Sequence, residues 1–318
     1  MAHWTLAAFA NDDLAVRRMA TVGLVDTRGA DHTVSGSAPT ATAYATGVRS
    51  RMGHVGVDAD GAPIESVVEA AMARGKGAGL ITTTEIVDAT PAAFGGHNTS
   101  RYDSGPLARE MSTKGITVLM GGGRRAFRPD VQSDGLDLLA QIRGEHTYVE
   151  SLDALRGLDP DTVDSLVGLL AEGEMGIVAD RGGEALTTMT SAALGILSRD
   201  PDGFFLMIEN EESDTQSHDN APGAVITTEM LDFDAAVGLA LAFQAEHPET
   251  LVVVTSDHET GGLSLPHDSD REIVMEYSTG SHTGVLIPLF AAGPGAERLG
   301  GILRNDEVGQ ILLEMMRR

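Results

Sequence analysis

The sequence contains no cysteine among its 318 residues. Disulfide bonds, a thiolate nucleophile and zinc–sulfur sites are therefore excluded. Any metal ion must be held by histidine, carboxylate or hydroxyl groups or by water, and ten histidines are available. Lysine is also scarce, because only Lys76 and Lys114 occur and the other basic residues are arginines.

Two further absences concern membranes. No run of 18 apolar residues occurs, so we predict no transmembrane helix. The opening MAHWTLAAF lacks a basic start, a long apolar stretch and a small-residue cleavage site, which a secretory signal would combine.

Positive charge is in short supply, since 47 acidic residues oppose 22 basic ones and the formal net charge is −25. Such a surface repels nucleic acid and anionic membranes at long range, and we expect no nucleic-acid binding. It also repels anionic substrates, so a phosphate site here needs strong local positive charge. With 42% hydrophobic residues, the chain is predicted to be globular.

Short apolar runs alternate with helical patterns along the chain. The predicted strands are Val22–Asp26, Gly79–Thr83, Ile116–Met120, Phe204–Glu209, Leu251–Thr255 and Leu286–Ala291. The predicted helices are Ala38–Thr46, Ile64–Arg74, Leu136–Arg143, Ala185–Ser198, Thr227–Gln244 and Asp306–Arg317. The alternation predicts one α/β domain over residues 1–318, with a mostly parallel central sheet and helices on both faces. Residues 124–185 carry weaker strand signals and are predicted to be a peripheral excursion from the sheet.

Polar residues follow several predicted strands, where sites form in open α/β sheets. Asp214 and His218 are four residues apart, so a helix would place both on one face to grip a metal ion; an exposed acid–base pair is the alternative. Asp257 and His258 directly follow a buried strand, although a turn aspartate with an incidental histidine would look the same. His282, in the loop SHTG, is weak evidence alone. Nitrogen and oxygen donors without sulfur suit catalytic zinc.

Ser37 is the candidate nucleophile, because it lies just before a helical run, where free backbone N–H groups face outward. A plain N-cap is the alternative role for this serine. Its hydroxyl needs a base or a metal for activation, and no Ser-His-Asp order stands out, so metal activation fits the Asp/His set. Arg101 could clamp two phosphate oxygens with its planar guanidinium, or it could be a surface arginine.

Five segments of this chain, in the same order, resemble the motifs of the alkaline phosphatase family. They are SGSAPTATAYATG (35–47), TTEIVDATPAAFGGHNTSR (83–101), GFFLMIENEESDTQSH (203–218), TSDHETGG (255–262) and SHTG (281–284). The resemblance implies a three-layer sandwich fold and hydrolysis of phosphate monoesters through a phosphoserine at Ser37.

The resemblance also implies a role for each matching residue. The first of two zinc ions would be held by Asp214, His218 and His282, and the second, which activates Ser37, by Asp257 and His258. One magnesium ion would be held by Thr90 and Glu209. Arg101 would bind phosphate, and Asp88 would position water and Arg101. A homodimer and a periplasmic or extracellular location are implied by resemblance only.

The sequence departs from the family pattern in three places, of which Thr215 after Asp214 is a position where family members differ. The family's first strand normally ends in Gly-Asp-Gly-Met-Gly, whose aspartate bridges the second zinc and the magnesium, and this motif is absent. We therefore hypothesise that the chain is incomplete at its N-terminus and lacks an interior strand. Gly36 stands where the family often has an aspartate that supports the phosphate-binding arginine.

A sulfatase or phosphomutase relative shares this fold and its Asp/His metal chemistry, and two further alternatives are compatible with these residues. A sulfatase would need a Cys/Ser-x-Pro-x-Arg motif, and the chain has no cysteine and no arginine at the matching place after Ser37. A phosphodiesterase of the same superfamily typically uses threonine as its nucleophile. The third alternative is a truncated chain that binds metal or phosphate without turnover.

Overall fold

The computed structural model describes residues 1–318 and contains eleven strands. They are β1 (Thr21–Asp26), β2 (Gly77–Glu85), β3 (Val118–Gly122), β4 (Thr147–Val149), β5 (Leu166–Leu169), β6 (Phe204–Glu209), β7 (Val252–Val254), β8 (Glu259–Thr260), β9 (His282–Thr283), β10 (Ile287–Ala292) and β11 (Gly301–Arg304). The six strands predicted from sequence correspond to β1, β2, β3, β6, β7 and β10.

Twelve α-helices connect or flank these strands. They are α1 (Ala2–Ala10), α2 (Ser37–Thr46), α3 (Val67–Met72), α4 (Ala89–Gly95), α5 (Ser104–Thr113), α6 (Leu138–Glu145), α7 (Leu152–Arg156), α8 (Val178–Arg181), α9 (Ala185–Leu197), α10 (Glu212–His218), α11 (Gly223–Glu246) and α12 (Asn305–Met316). Helix α3 begins later than predicted because Ser66 caps it, in a reciprocal capping box with Glu69. No helix is both long and apolar enough to cross a lipid bilayer.

The strands form two main sheets. A five-stranded sheet has the order β4-β5-β3-β2-β6, and all of its pairs are parallel. A four-stranded sheet has the order β11-β1-β10-β7, in which β10 runs antiparallel to both of its neighbours. The predicted α/β class and the largely parallel arrangement are confirmed. Within residues 124–185, strands β4 and β5 form the outer edge of the five-stranded sheet.

Apolar side chains are buried on both faces of this sheet. Leu80 of β2 and Leu119 of β3 belong to a core cluster packed against α2, α4 and α12. Their neighbours Ile81 and Met120 point the other way, into a second cluster with α9. Because successive side chains of a strand alternate between faces, continuous apolar runs produce these two cores. Each fully buried side chain of this size contributes about 1.5–3 kcal/mol.

The two sheets do not pair with each other. Strand β6 pairs only with β2, and β7 pairs only with β10. Both strands line a cavity of about 1120 Å³, which is also lined by apolar side chains of α11 and α12 and extends to Ser37. Most residues of β6 are only partly buried, whereas β2 is buried almost throughout. The unpaired edges thus leave backbone groups without sheet partners inside the molecule.

This gap predicts a specific pattern of amide exchange. Amides of β6 and β7 that are not bonded to β2 or β10 should exchange at least about 100-fold faster than amides at the centre of β2, because no partner strand protects them. Hydrogen–deuterium exchange resolved to single residues would measure this difference. Equal protection of the Leu80 amide and of the β6 amides on both sides of that strand would contradict this prediction.

Candidate active site

Ser37 is the first residue of α2, and Gly36 precedes it in an extended conformation. The Ser37 hydroxyl oxygen lies 3.2 Å from Nε2 of His258. The helix N-terminus adds the positive end of its dipole at the same place. The structure therefore brings the predicted nucleophile together with a predicted metal ligand from a segment 221 residues away.

Asp257 and His258 follow β7 directly, so the carboxyl end of that strand positions both. Nε2 of His258 lies 3.0 Å from the Asp257 carboxylate. Although burial opposes it, His258 lowers the pKa of Asp257 well below its usual range. Asp257 in turn raises the pKa of His258 against the opposing effect of burial.

The second group of predicted ligands lies alongside. Asp214 and His218 share one face of α10, with Nε2 of His218 3.4 Å from the Asp214 carboxylate. His282 of β9 faces them, with its Nε2 3.0 Å from that of His218. Donor atoms of Asp214, His258 and His282 all lie within 4.8 Å of one another. All five predicted zinc ligands are thus adjacent.

Thr260 is a site residue that the sequence reasoning missed. Its hydroxyl donates to the Asp214 carboxylate and lies 3.2 Å from Nδ1 of His258, so it links the two groups of ligands. The Thr260 side chain is buried. Its position two residues after His258 in an extended segment, where side chains share a face, is a signal that could have identified it.

Arg101 and Asp88 form the predicted pair. One guanidinium nitrogen, Nη2, donates to both Asp88 oxygens at 2.8 and 2.9 Å. Nε of Arg101 is buried without a partner, which leaves a donor for another anion. At Gly36, an added Cβ would lie 3.1 Å from the Met52 sulfur, so Met52 occupies the space beside this departure from the family pattern.

Glu209 ends β6 beside this pair and carries the predicted magnesium-ligand carboxylate. It accepts the Thr82 hydroxyl at 2.5 Å, and Thr90 also hydrogen-bonds to it. Burial, together with Asp88, raises the pKa of Glu209 to about 7. A carboxylate that is so poorly neutralised is a suitable ligand for a cation.

His97 lies outside this site, in a charge cluster that holds the loop leading to Arg101. Nδ1 of His97 lies 2.7 Å from Glu110. Lys114 lies 2.9 Å from both Glu69 and Glu110, which joins α3 and α5 to the cluster. Glu110 and then Glu69 raise the pKa of His97 to about 9, against burial and Lys114.

Comparison with known proteins identifies the family of this chain. The family model described as alkaline phosphatase matches residues 7–275. The chain belongs to the alkaline phosphatase family. Membership assigns it to the phosphoester hydrolases and confirms the resemblance drawn from the five motifs.

Individual relatives agree with this assignment. Alkaline phosphatase 4 of Bacillus subtilis is 28% identical over 90% of this chain and 77% of that protein. Alkaline phosphatase 3 of the same species is 36% identical over 75% of this chain and 52% of that protein, so the chain spans about half of its length. The alkaline phosphatase of the Antarctic bacterium TAB5 has a TM-score of 0.89 at 30% identity, covering 99% of this chain and 94% of that one. A mutant of the TAB5 enzyme has magnesium bound in a site called M3.

The His97 cluster predicts a pH dependence of the stability of this phosphatase-family chain. The folded protein holds the His97 proton more tightly than the unfolded chain, whose histidines titrate near pH 6.5. The stabilisation is therefore complete below about pH 6.5 and is lost as the pH rises through about 9. Wild type should lose on the order of 1–2 kcal/mol more than His97→Gln between these pH values. Denaturant unfolding of both proteins at pH 6 and pH 9.5 measures this, and parallel losses would contradict it.

Proposed function

We propose that this chain hydrolyses phosphate monoesters through a phosphoserine intermediate on Ser37. The main support is that the Ser37 hydroxyl lies 3.2 Å from His258, beside a group of Asp and His donor atoms within 4.8 Å of one another. Arg101 lines the same cavity, and its buried Nε has no protein partner. A nucleophile, cation ligands and an anion clamp therefore converge at one place.

The reaction proceeds in two displacements. In the first, Ser37 Oγ loses its proton and bonds to phosphorus, while the bond from phosphorus to the alcohol oxygen breaks and the alcohol leaves with a proton. In the second, a water oxygen bonds to phosphorus, the phosphorus–Oγ bond breaks, and inorganic phosphate leaves as Ser37 regains its proton. The Arg101 guanidinium holds the equatorial oxygens, on which negative charge accumulates.

The Asp and His donors are of the types that zinc prefers, with three residues available for one ion and two for a second. Asp214, His218 and His282 would hold one ion, and Asp257 and His258 would hold the other, next to Ser37. Two facing imidazole nitrogens 3.0 Å apart beside a carboxylate are a suitable nitrogen and oxygen set for zinc. When bound, zinc lowers the pKa of a coordinated hydroxyl and stabilises charge on the attacking and leaving oxygens.

Magnesium would be held by Glu209 and Thr90, which offer only the oxygen donors that this ion prefers. Glu209 supports this role because its buried carboxylate has only hydroxyl groups as partners and a pKa raised to about 7. Asp88, paired with Arg101, would then position both the guanidinium and water near that ion.

One observation favours a second candidate function. Asp257 and His258 supply two protein ligands, whereas catalytic zinc usually has three. A chain with a weak second site would bind metal or phosphate without turnover. Activity measured with metal content separates this alternative from the phosphatase, and a diaryl phosphate substrate tests for the phosphodiesterase.

The family resemblance extends the proposal beyond the site. We infer small phosphomonoesters as substrates, a homodimeric assembly and a periplasmic or extracellular location.

Replacing the nucleophile should abolish turnover. Ser37→Ala should reduce hydrolysis of a chromogenic aryl phosphate at about pH 9 by at least about 1,000-fold, because it removes the hydroxyl on which the proposed covalent intermediate forms. The assay contains added zinc and magnesium, and chelator treatment should stop the wild-type reaction until both metals return.

Ser269→Ala, in an exposed loop, is the matched control and should keep full activity. A folded wild-type protein with bound metal and no rate above Ser37→Ala would refute the phosphatase proposal and favour the non-catalytic alternative.

Arg101 should act mainly on phosphate binding. Arg101→Ala should lower kcat/KM by about 100-fold and raise the inhibition constant of inorganic phosphate, because the anion loses a charged, forked donor. Arg101→Lys keeps the charge but not the fork and should recover only part of the loss. Steady-state kinetics with phosphate as a competitive inhibitor provide the measurement, and an unchanged inhibition constant in Arg101→Ala would contradict this role.

A further inference from the structure

A buried cluster of charged residues lies beside the turn between β6 and α10. Arg181 of α8 donates to Glu229 and to Asp232 of α11, each at 2.7 Å. The side chains of these three residues are no more than 3% exposed. Arg181 also donates to the Gly176 carbonyl at 2.6 Å, so the segment before α9 is tied to α11.

The cluster reaches the active site through Asn210. The Asn210 amide donates to the Glu229 backbone carbonyl at 3.2 Å and to the Glu229 carboxylate at 3.3 Å. Asn210 directly follows Glu209, and the next backbone N–H, that of Glu211, donates to the Thr83 hydroxyl at 3.1 Å. The turn is therefore held from α11 on one side and from β2 on the other.

The free energy of burying these charges is not explained by a contribution to stability alone. One arginine and two carboxylates leave a net buried negative charge, and apolar residues of similar volume are often as stable or more so. Three atoms of the cluster and of the adjoining Asn210 are buried without partners, namely Nε of Arg181, Oδ1 of Asp232 and Oδ1 of Asn210. A cluster that costs free energy but fixes Asn210, next to the predicted ligand Glu209, is better explained by a role in positioning that ligand.

We propose that Asn210 is a positioning residue, which sets the Glu209 carboxylate and the start of α10, with Asp214, for cation binding. The amide of Asn210 is anchored by the buried cluster of Arg181, Glu229 and Asp232. This inference rests on the proposed function, in which Glu209 and Asp214 are metal ligands. It also gives residues 170–183 a role, because Arg181 connects that segment to the site.

The decisive variant is Asn210→Ala, which removes the link and leaves the Arg181 cluster in place. Isothermal titration of metal-stripped protein with magnesium should show affinity weakened by about 10-fold or more, as for other residues that orient metal ligands. Gln132→Ala is the matched control, since the Gln132 amide is also buried and donates to the carbonyls of Gly105 at 3.3 Å and Ala126 at 2.9 Å, far along the chain from Glu209. The control should lose comparable thermal stability but keep its magnesium affinity within twofold.

An exchange of donor and acceptor tests the contact itself. Asn210→Asp places a carboxylate against Glu229 and should weaken magnesium binding more than Asn210→Ala does. Adding Glu229→Gln to Asn210→Asp again pairs an amide donor with a carboxylate acceptor. The net charge of the two side chains is then the same as in wild type. The double variant should regain at least about 3-fold of the lost affinity, because neighbouring residues in one network couple.

The outcomes separate this inference from the proposed function. Suppose that wild type binds magnesium, that Asn210→Ala weakens this binding, and that neither protein hydrolyses an aryl phosphate. The phosphatase proposal then fails and the positioning role stands. If folded Asn210→Ala binds magnesium as tightly as wild type, the positioning role is overturned, whatever the activity. A wild-type protein that binds no magnesium would also overturn it.

Discussion

The carboxylates collected at the ends of the strands greatly outnumber the fixed positive charges near them. Glu209, Glu211, Asp214 and Asp257 line the same cavity as Arg101, whose guanidinium is already paired in part with Asp88. Burial raises the pKa of Glu209 to about 7 and that of Glu211 to about 9. Such a site is costly without cations and favourable with them, so cation binding would stabilise the fold through the same residues that the proposed chemistry uses.

The parts of the site that depend on local spacing could be predicted from sequence. Asp214 and His218 are one helical turn apart, and Asp257 and His258 end a buried strand, so the periodicity of each element places them. Thr260 and Asn210 were missed because their partners are distant in the chain: Thr260 contacts Asp214, and Asn210 contacts Glu229. Contacts of this kind depend on how helices and sheets pack, which no single segment encodes.

The fold shows the same division. The apolar run of β6 correctly indicates a strand of an α/β sheet, since it has no polar alternation. Which strand lies on each of its edges is a property of the whole sheet, and the structure shows β2 on one edge and a cavity on the other. The long α11 and the half-buried apolar residues of β6 thus enclose a space that reaches Ser37, so the packing of the core and the shape of the site are coupled.

The turn after β6 links the packing of the core to the position of the Glu209 carboxylate. Its backbone is fixed through Thr83 of β2, and its side chain Asn210 is fixed through Glu229 of α11. A carboxylate on a backbone held at only one of these points could rotate to relieve its poor neutralisation, since Glu209 has only hydroxyl partners. Holding it at both keeps the negative charge aimed at one place. In the proposed cation site, buried charge that is prevented from relaxing would be preorganised for the ion, which would account for the unsatisfied ion cluster beside it.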